Sequence, residues 1–343
     1  MTNHAKKSHS KFYLVVIADY NDDDAHGIVH DNLYYWFDDH DLDILEYDRV
    51  DVRAFNTVHT GYMLARRALN PLSPSSRQVF FVNTAPRMDD TAKRGTNQGE
   101  GFVMATLKNG KKVFAVNSGY TLSFVKEAID TVHKMNVPDD VNDIPMLLDA
   151  LQREGNIGAG QFRSGYVYPI ITAIALSGSN ESISPQFETL IGDEIPLDAI
   201  PDIPDNTLVF RDGYKNVKTS IHPDELVNDF NKFAVVECEG KEIIAHIAKG
   251  MFNVPLHHFS LAPGSTILDY GDGESRQFVE IALRGGHAAK AFAKQISNGE
   301  RFDPVEGNKI TWRLATNEDF DRLGYGKDGR PPEDVLESAL KLS

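Results

Sequence analysis

Five short apolar runs punctuate the first third of the chain: FYLVVIAD from Phe12, LDILEYD from Leu42, QVFFVNTAP from Gln78, GFVMATL from Gly101 and KKVFAVNSG from Lys111. Each is bounded by turn residues, and helix-period segments from Thr57 to Leu69 and from Thr121 to Lys134 lie among them. That alternation is the signature of an α/β domain. Asn109-Gly110 between the fourth and fifth runs is a hairpin dipeptide, so the spacing predicts a mixed, mostly parallel sheet rather than a wholly parallel one.

A chain of 343 residues exceeds a comfortable single core, which points to two domains. The stretch GDEIPLDAIPDIPDN from Gly192 has Pro196, Pro201 and Pro204 and no periodicity, as an extended connection would. The expected division is a disordered segment 1–11, an α/β domain 12–195, a Pro-rich linker 196–206 and a β-rich domain 207–343. After the linker, NTLVFRD, VKTSIH, FAVVECEG, KEIIAHIA, STILDYG, QFVEIALRGG and NKITWRL are short strand patterns at close spacing. They predict a smaller antiparallel β-domain.

The balance of 35 basic against 50 acidic side chains, a formal charge of -15, disfavours nucleic acid and anionic lipid and favours a cationic small molecule. The single cysteine, Cys238, excludes an internal disulfide and a Cys-rich zinc site and fits a residue packed in a strand. The apolar run before Asp19 is too short for a signal peptide, and the longest apolar stretch, YVYPIITAIALSG, is broken by Pro169 and falls short of a bilayer. A cytoplasmic enzyme or binder is the expectation.

Chemistry concentrates in VVIADYNDDDAHG, which sets Asp19, Asp22, Asp23 and Asp24 directly after the first strand pattern. A calcium loop counted from Asp19 fails, because Asp24 stands where glycine is needed and His30 where glutamate is needed. His26 and His30 share a helix face as a zinc pair would, yet the metalloprotease glutamate and a third ligand are missing. No metal is expected. A carboxylate just past a strand's C-terminal end lies where α/β sheets bind ligands and can accept hydrogen bonds from both ribose hydroxyls, which suits Asp19. Asp24 is read with it, whereas Asp22 and Asp23 suit solvated capping of the following helix.

Two further stretches carry two readings each. Asp212-Gly213-Tyr214-Lys215-Asn216 is a hairpin turn with Gly213 supplying an unusual dihedral, or a pair, Asp212 and Asn216, that holds an α-amino acid's ammonium. Arg284-Gly285-Gly286-His287 allows close backbone approach, to a planar ligand or to another strand. GNIGAGQFRSG, from Gly155, follows no strand and is not a dinucleotide fingerprint.

In order and spacing these pieces resemble the S-adenosyl-L-methionine hydroxide adenosyltransferase family, related to fluorinase and chlorinase, from Phe12 to Trp312. The resemblance implies an α/β N-terminal domain and a β-barrel-like C-terminal domain. It also implies a homotrimer that binds S-adenosylmethionine between the N-domain of one subunit and the C-domain of its neighbour. That molecule would be substrate, with adenosine and L-methionine as products and no cofactor. By matching motifs, Asp19 would clasp the ribose diol, Asp24 would be the second family carboxylate and His26 would stand near the methionine. Phe55 would pack near the ligand, and Asn117 would open the family's Asn-Gly turn. Asp212, Tyr214 and Asn216 would hold the methionine end, Ser275 and Arg276 its carboxylate, and the backbone at Arg284 and Gly285 the adenine.

The pattern departs from the family at the nucleophile. Where relatives carry an aspartate this chain has Asn83, the arginine's loop reads RMDDTAKR, and the histidine's neighbourhood reads QFRSGYVYP. Arg87, Asp90, Arg94 and Arg163 lie in the corresponding segments, so Asn83, Arg87, Asp90 and Arg163 form the candidate catalytic set. Displacement at ribose C5′ of a sulfonium expels neutral methionine, so no acid is needed; the nucleophile must be aligned opposite sulfur. Other readings stay open: a noncatalytic adenosyl-ligand binder, a halide-using, chlorinase-like relative and, disfavoured by the missing ligands, a metal hydrolase built on the aspartate-histidine cluster. Fluoride ranks lowest because the long fluorinase loop is not recognisable.

Overall fold

The computed structural model describes residues 10–72, 76–84, 101–136, 162–178, 190–273, 275–295 and 301–341. The chain forms two compact units, Met1–Asp202 and Ile203–Ser343. Of the segment expected to be disordered, residues 1–9 lie outside the described residues, while Ser10 and Lys11 already belong to the first strand.

The first unit is built on β1 (Ser10–Ala18), α1 (Asp23–Asp39), β2 (Leu42–Asp51), α2 (Thr57–Ala68), β3 (Gln78–Asn83), β4 (Phe102–Leu107), β5 (Lys112–Val116), β6 (Ile129–Met135), α3 (Arg163–Tyr166), α4 (Tyr168–Ser177) and β7 (Ile191–Glu194). Its sheet runs β2-β1-β3-β5-β4-β6-β7. The pairs β1–β2, β1–β3 and β3–β5 are parallel, and β4–β5, β4–β6 and β6–β7 are antiparallel. The sheet is therefore mixed but half antiparallel, not mostly parallel. The Asn109-Gly110 hairpin contributes one antiparallel pair, with Gly110 at φ 81 and its N–H donating to Leu107 O at 2.8 Å.

The other reason is a corrected assignment. Thr121 to Lys134 is not a helix: Ser123–Ala128 is a short 3-10 turn, and Ile129–Met135 is β6. The β-branched Ile129, Thr131 and Val132 lose side-chain freedom in a helix and fit a pleated surface beside β4, so the tertiary partner overrides the helical spacing. The apolar stretch from Tyr166 becomes the helix α4, in which residues 168–176 are all buried. A helix apolar on every side belongs in a core, and Pro169 sits in its first turn, where no N–H is needed. Among the described residues no helix is long and apolar enough to cross a membrane.

The segment 196–206 is not a plain extended connection. Leu197–Ala199 forms a 3-10 turn, Ile200 is buried, and Lys126 Nζ donates to Asp202 Oδ1 at 2.6 Å.

The second unit comprises β8 (Leu208–Arg211), β9 (Val217–Thr219), β10 (Phe233–Cys238), β11 (Lys241–Ile247), β12 (Phe259–Pro263), β13 (Leu268–Asp269), β14 (Ser275–Arg276), β15 (Val279–Leu283), α5 (Ala288–Ala291), β16 (Lys294–Gln295), β17 (Arg301–Phe302), β18 (Ile310–Leu314), α6 (Asn317–Leu323) and α7 (Glu333–Leu340). Its main sheet runs β18-β10-β11-β12-β15-β9-β8. Every pair but one is antiparallel; β11 and β12 are parallel, which corrects the wholly antiparallel expectation. The chain entering β8 meets the chain entering β18: Thr207 and Lys309 bridge, and Ile310 N–H donates to Asn206 O at 2.7 Å. The two end strands are thus tied at one end. Cys238 is buried in β10.

Candidate functional site

β1 is followed through α1 to β2 on one side of it and, through α2, the chain returns to β3 on its other side. The strand order reverses there, and open α/β sheets bind ligands in the crevice beyond the strand ends at such a switch. Asp19 stands at that point, 8% exposed, with its N–H donating to Asn83 O at 3.2 Å and its Oδ2 accepting from Phe55 N–H at 2.8 Å. Asn83 ends β3 and is likewise nearly buried.

The bond from Phe55 does structural work on the loop. Phe55 has φ 60, a left-handed conformation unfavourable for a bulky residue, and such strain persists only where surrounding bonds over-determine it. Here the Asp19 carboxylate takes its N–H, and Asn56 caps α2 by accepting from His59 N–H at 2.9 Å. Phe55 as a whole is left 36% exposed.

Behind them a set of buried hydroxyls, not singled out from the sequence, ties the neighbouring strand ends to α2. Thr60 and Thr84 share a 2.6 Å hydrogen bond, Ser118 Oγ donates to Thr84 O at 3.4 Å, and Tyr120 N–H donates to Thr57 Oγ1 at 3.1 Å. Gly119, at φ 44, passes so close that a Cβ would lie 2.4 Å from Thr57 Oγ1. Asn117 follows β5, is 2% exposed, and its N–H donates to Gly101 O at 2.9 Å.

The other acidic residues of the opening motif divide. Asp22 is the N-cap of α1, its Oδ1 accepting from Ala25 N–H at 2.6 Å, and Asp23 pairs with Arg49 at 2.7 Å. Asp24 is exposed in the first turn of α1. His26 lies inward, 3% exposed, edge-on to Tyr20 with ring centroids 4.9 Å apart. Its Nε2 is 2.9 Å from Asp51 Oδ1, a contact that is ionic only when the imidazole is protonated, and neither ring nitrogen has a partner in hydrogen-bond geometry. Arg163 is exposed at the start of α3, beside Phe162, which packs on Tyr20 at 5.6 Å. Arg87, Asp90 and Arg94 lie outside the described residues.

Burial, and after it the Arg49 guanidinium, hold the His26 imidazole below its usual range, against the pull of Asp51. A group whose folded pKa is depressed binds fewer protons when folded, so its contribution is complete above the unfolded value of 6.5 and is lost as pH falls below it. The first unit is therefore expected to lose stability on acidification below pH 6.5. His26→Leu should flatten that slope in urea titrations followed by Trp36 fluorescence in a Trp312→Phe background.

In the second unit the β8–β9 turn is closed by its own side chains. Asp212 Oδ1 accepts from Tyr214 and Asn216 N–H, both at 2.9 Å, and Oδ2 accepts from Asn216 Nδ2 at 3.1 Å. The left-handed residue is Lys215, φ 61, and not Gly213: the Asx turn carries the chain through Gly213 without it. Tyr214 is 77% exposed. The turn packs against the loop after β15, where Tyr214 O lies 2.9 Å from His287 Nδ1 and Ala289 N–H donates to Lys215 O at 2.9 Å. Arg284 donates from Nη1 to Val254 O at 2.6 Å, and Gly285 takes φ 86 where a Cβ would lie 2.8 Å from Leu256. The turn thus meets this loop at His287 and Ala289, not at Arg284 or Gly285. Ser275 and Arg276 sit on β14, with Arg276 stacked 4.4 Å over Tyr270 and paired with Asp272 at 2.9 Å.

Among the described residues, no group of three or more His, Cys, Asp or Glu side chains is placed to hold a metal ion.

Two solved structures share the fold. An uncharacterized conserved protein from Thermotoga maritima matches with a TM-score of 0.57 at 18% identity, over 87% of this chain and 99% of that one. A conserved hypothetical protein from Thermus thermophilus matches with a TM-score of 0.52 at 14% identity, over 89% of this chain and 100% of that one. At such identities the likeness is one of fold alone. No protein-family model and no curated protein matches the chain.

Proposed function

We propose that the chain is a divergent S-adenosyl-L-methionine hydroxide adenosyltransferase. Water or hydroxide attacks ribose C5′ and the C5′–S bond breaks. Sulfur keeps the electron pair and leaves as neutral L-methionine; adenosine is released, together with a proton when water is the attacker. The observation that carries this reading is Asp19, a nearly buried carboxylate at the strand-order switch, braced at 2.8 Å by the backbone N–H of Phe55, a residue that is itself 36% exposed. A carboxylate accepts from two vicinal hydroxyls, and an aromatic face tolerates a sulfonium. The leaving group needs no proton, so the chemistry asks for alignment and partial desolvation of the nucleophile.

The same reading takes the second unit as a barrel-like β-domain, which the tie between Thr207 and Lys309 supports. It gives the turn from Asp212 to Asn216 and the loop at Arg284 and Gly285 to the substrate, and expects a homotrimer. Asn83 favours one alternative: an amide has no useful proton affinity, so a pocket that binds without turnover is the second reading.

Incubation of the purified chain with S-adenosylmethionine, with products separated by chromatography, tests the proposal. Equal amounts of adenosine and methionine are expected. A 5′-chloro-nucleoside formed only with added chloride would make the chain a halide user. Calorimetric binding without product would select the second reading, and neither binding nor product would reject both.

A further inference from the structure

β2 is a ten-residue strand paired with β1 and interrupted by one bulge at Leu45, beyond which Glu46–Asp51 run in regular register. It ends the sheet order, so among the described residues no strand covers its outer side. A long open edge offers unpaired N–H and C=O groups to an extended chain, and proteins guard it by shortening or covering it or with proline, bulges and charged side chains, which repel a strand of like charge but not one of opposite charge. This one, LDILEYDRVD, contains neither proline nor glycine.

Its two faces differ. Arg49 reaches Asp23 of α1, so Tyr47 and Arg49 face α1; Arg67 of α2 reaches Asp48 at 3.1 Å, so Glu46 and Asp48 face α2. Apolar surface is left open at the bulge and on α1, where Leu45 is 46% exposed, Tyr34 is 38% and Tyr35 is 50%. His30, Tyr34 and Tyr47 form an aromatic strip beside it, with ring centroids 4.5, 4.8 and 6.2 Å apart. The other face carries Glu46 and Asp48. Over α1 and both sides of β2 together, charge is concentrated as nowhere else: residues 22–51 hold eleven carboxylates, seven before β2 and four on it, and one arginine, a local charge of -10 in a chain of -15. The arginine, Arg49, is already engaged by Asp23 and Asp51.

That charge selects the occupant. Two copies of the chain pairing edge to edge would bring carboxylates together and repel, whereas lysine or arginine side chains would be drawn in. We infer that β2 is a docking edge for a basic extended segment of a partner protein, joining the sheet as an added strand. Main-chain hydrogen bonds supply the affinity. Alternation supplies the selectivity, with apolar side chains toward Tyr47 and the α1 tyrosines and basic ones toward Glu46 and Asp48.

A labelled decapeptide of alternating lysine and valine, titrated by anisotropy against the full chain, is the probe. Saturable binding is expected, with slowed amide exchange across Leu42–Asp51. N-methylation of every second peptide residue should weaken binding about tenfold or more, because it removes main-chain donors while keeping the charge. Glu46→Lys should weaken it as well, and a glutamate–valine peptide should not bind. Equal affinity for the N-methylated peptide, or unprotected Leu42–Asp51 amides, would overturn the inference by reducing it to ionic attraction. So would a dimer of the chain whose Leu42–Asp51 amides exchange more slowly than the monomer's, since a second copy would then hold the edge.

Discussion

Asp19→Ala is expected to weaken adenosine and S-adenosylmethionine binding about a hundredfold or more. Two charge-assisted hydrogen bonds to a ribose diol contribute about 1.5–3 kcal/mol each, and 1.4 kcal/mol corresponds to a factor of ten. The loss has a second source. Phe55 N–H donates to Asp19 Oδ2 at 2.8 Å, and Phe55 holds φ 60; without the carboxylate that loop loses its brace. Asp19→Asn separates the two contributions, since an amide oxygen still accepts from Phe55 while the negative charge is gone. It is expected to bind about tenfold more weakly than the parent chain. Calorimetric titration with adenosine reads both, and an alanine variant with undiminished affinity would refute the site.

Glu280→Ala is expected to destabilise the second unit by about 3–5 kcal/mol, the cost of stranding a buried charge. Glu280 and Lys218 face each other across β15 and β9, with Nζ and Oε2 2.7 Å apart and side chains 13% and 5% exposed. Lys218 Nζ also donates to Ser265 Oγ at 3.3 Å, a neutral acceptor that cannot replace the carboxylate. Replacing both ions by apolar residues, Lys218→Met with Glu280→Leu, should recover most of the loss, because the pair's attraction is largely offset by its desolvation. Urea unfolding followed by Trp312 fluorescence in a Trp36→Phe background measures both. A single variant within about 1 kcal/mol of the parent, or a double variant no better than the single, would refute the argument.

Much of the first unit was legible in the chain. The apolar runs at Phe12, Leu42, Gln78, Gly101 and Lys111 are β1 to β5, and Thr57 to Leu69 is α2 with one residue to spare. β6 was not, because its spacing fits a helix until β4 lies beside it. β12 carries no strand signal, because FSLAP is short, ends in proline and shows no alternation. The helices α6 and α7 are likewise not signalled among the strand patterns around them. Of the site, Asp19 could be placed from its position after a strand. The bond from Phe55, 36 residues away, and that between Thr60 and Thr84, 24 residues apart, could not.

The chain by itself determined what acts over a few residues: the strand and helix periods, the hairpin at Asn109-Gly110, and the cap that Asp22 places on α1. Only the tertiary structure decided that β1 lies between β2 and β3, that Lys218 meets Glu280, and that the chain entering β8 meets the chain entering β18. Side-chain pattern and dihedral preference are local quantities, whereas strand pairing is chosen by which faces can be buried together across long loops.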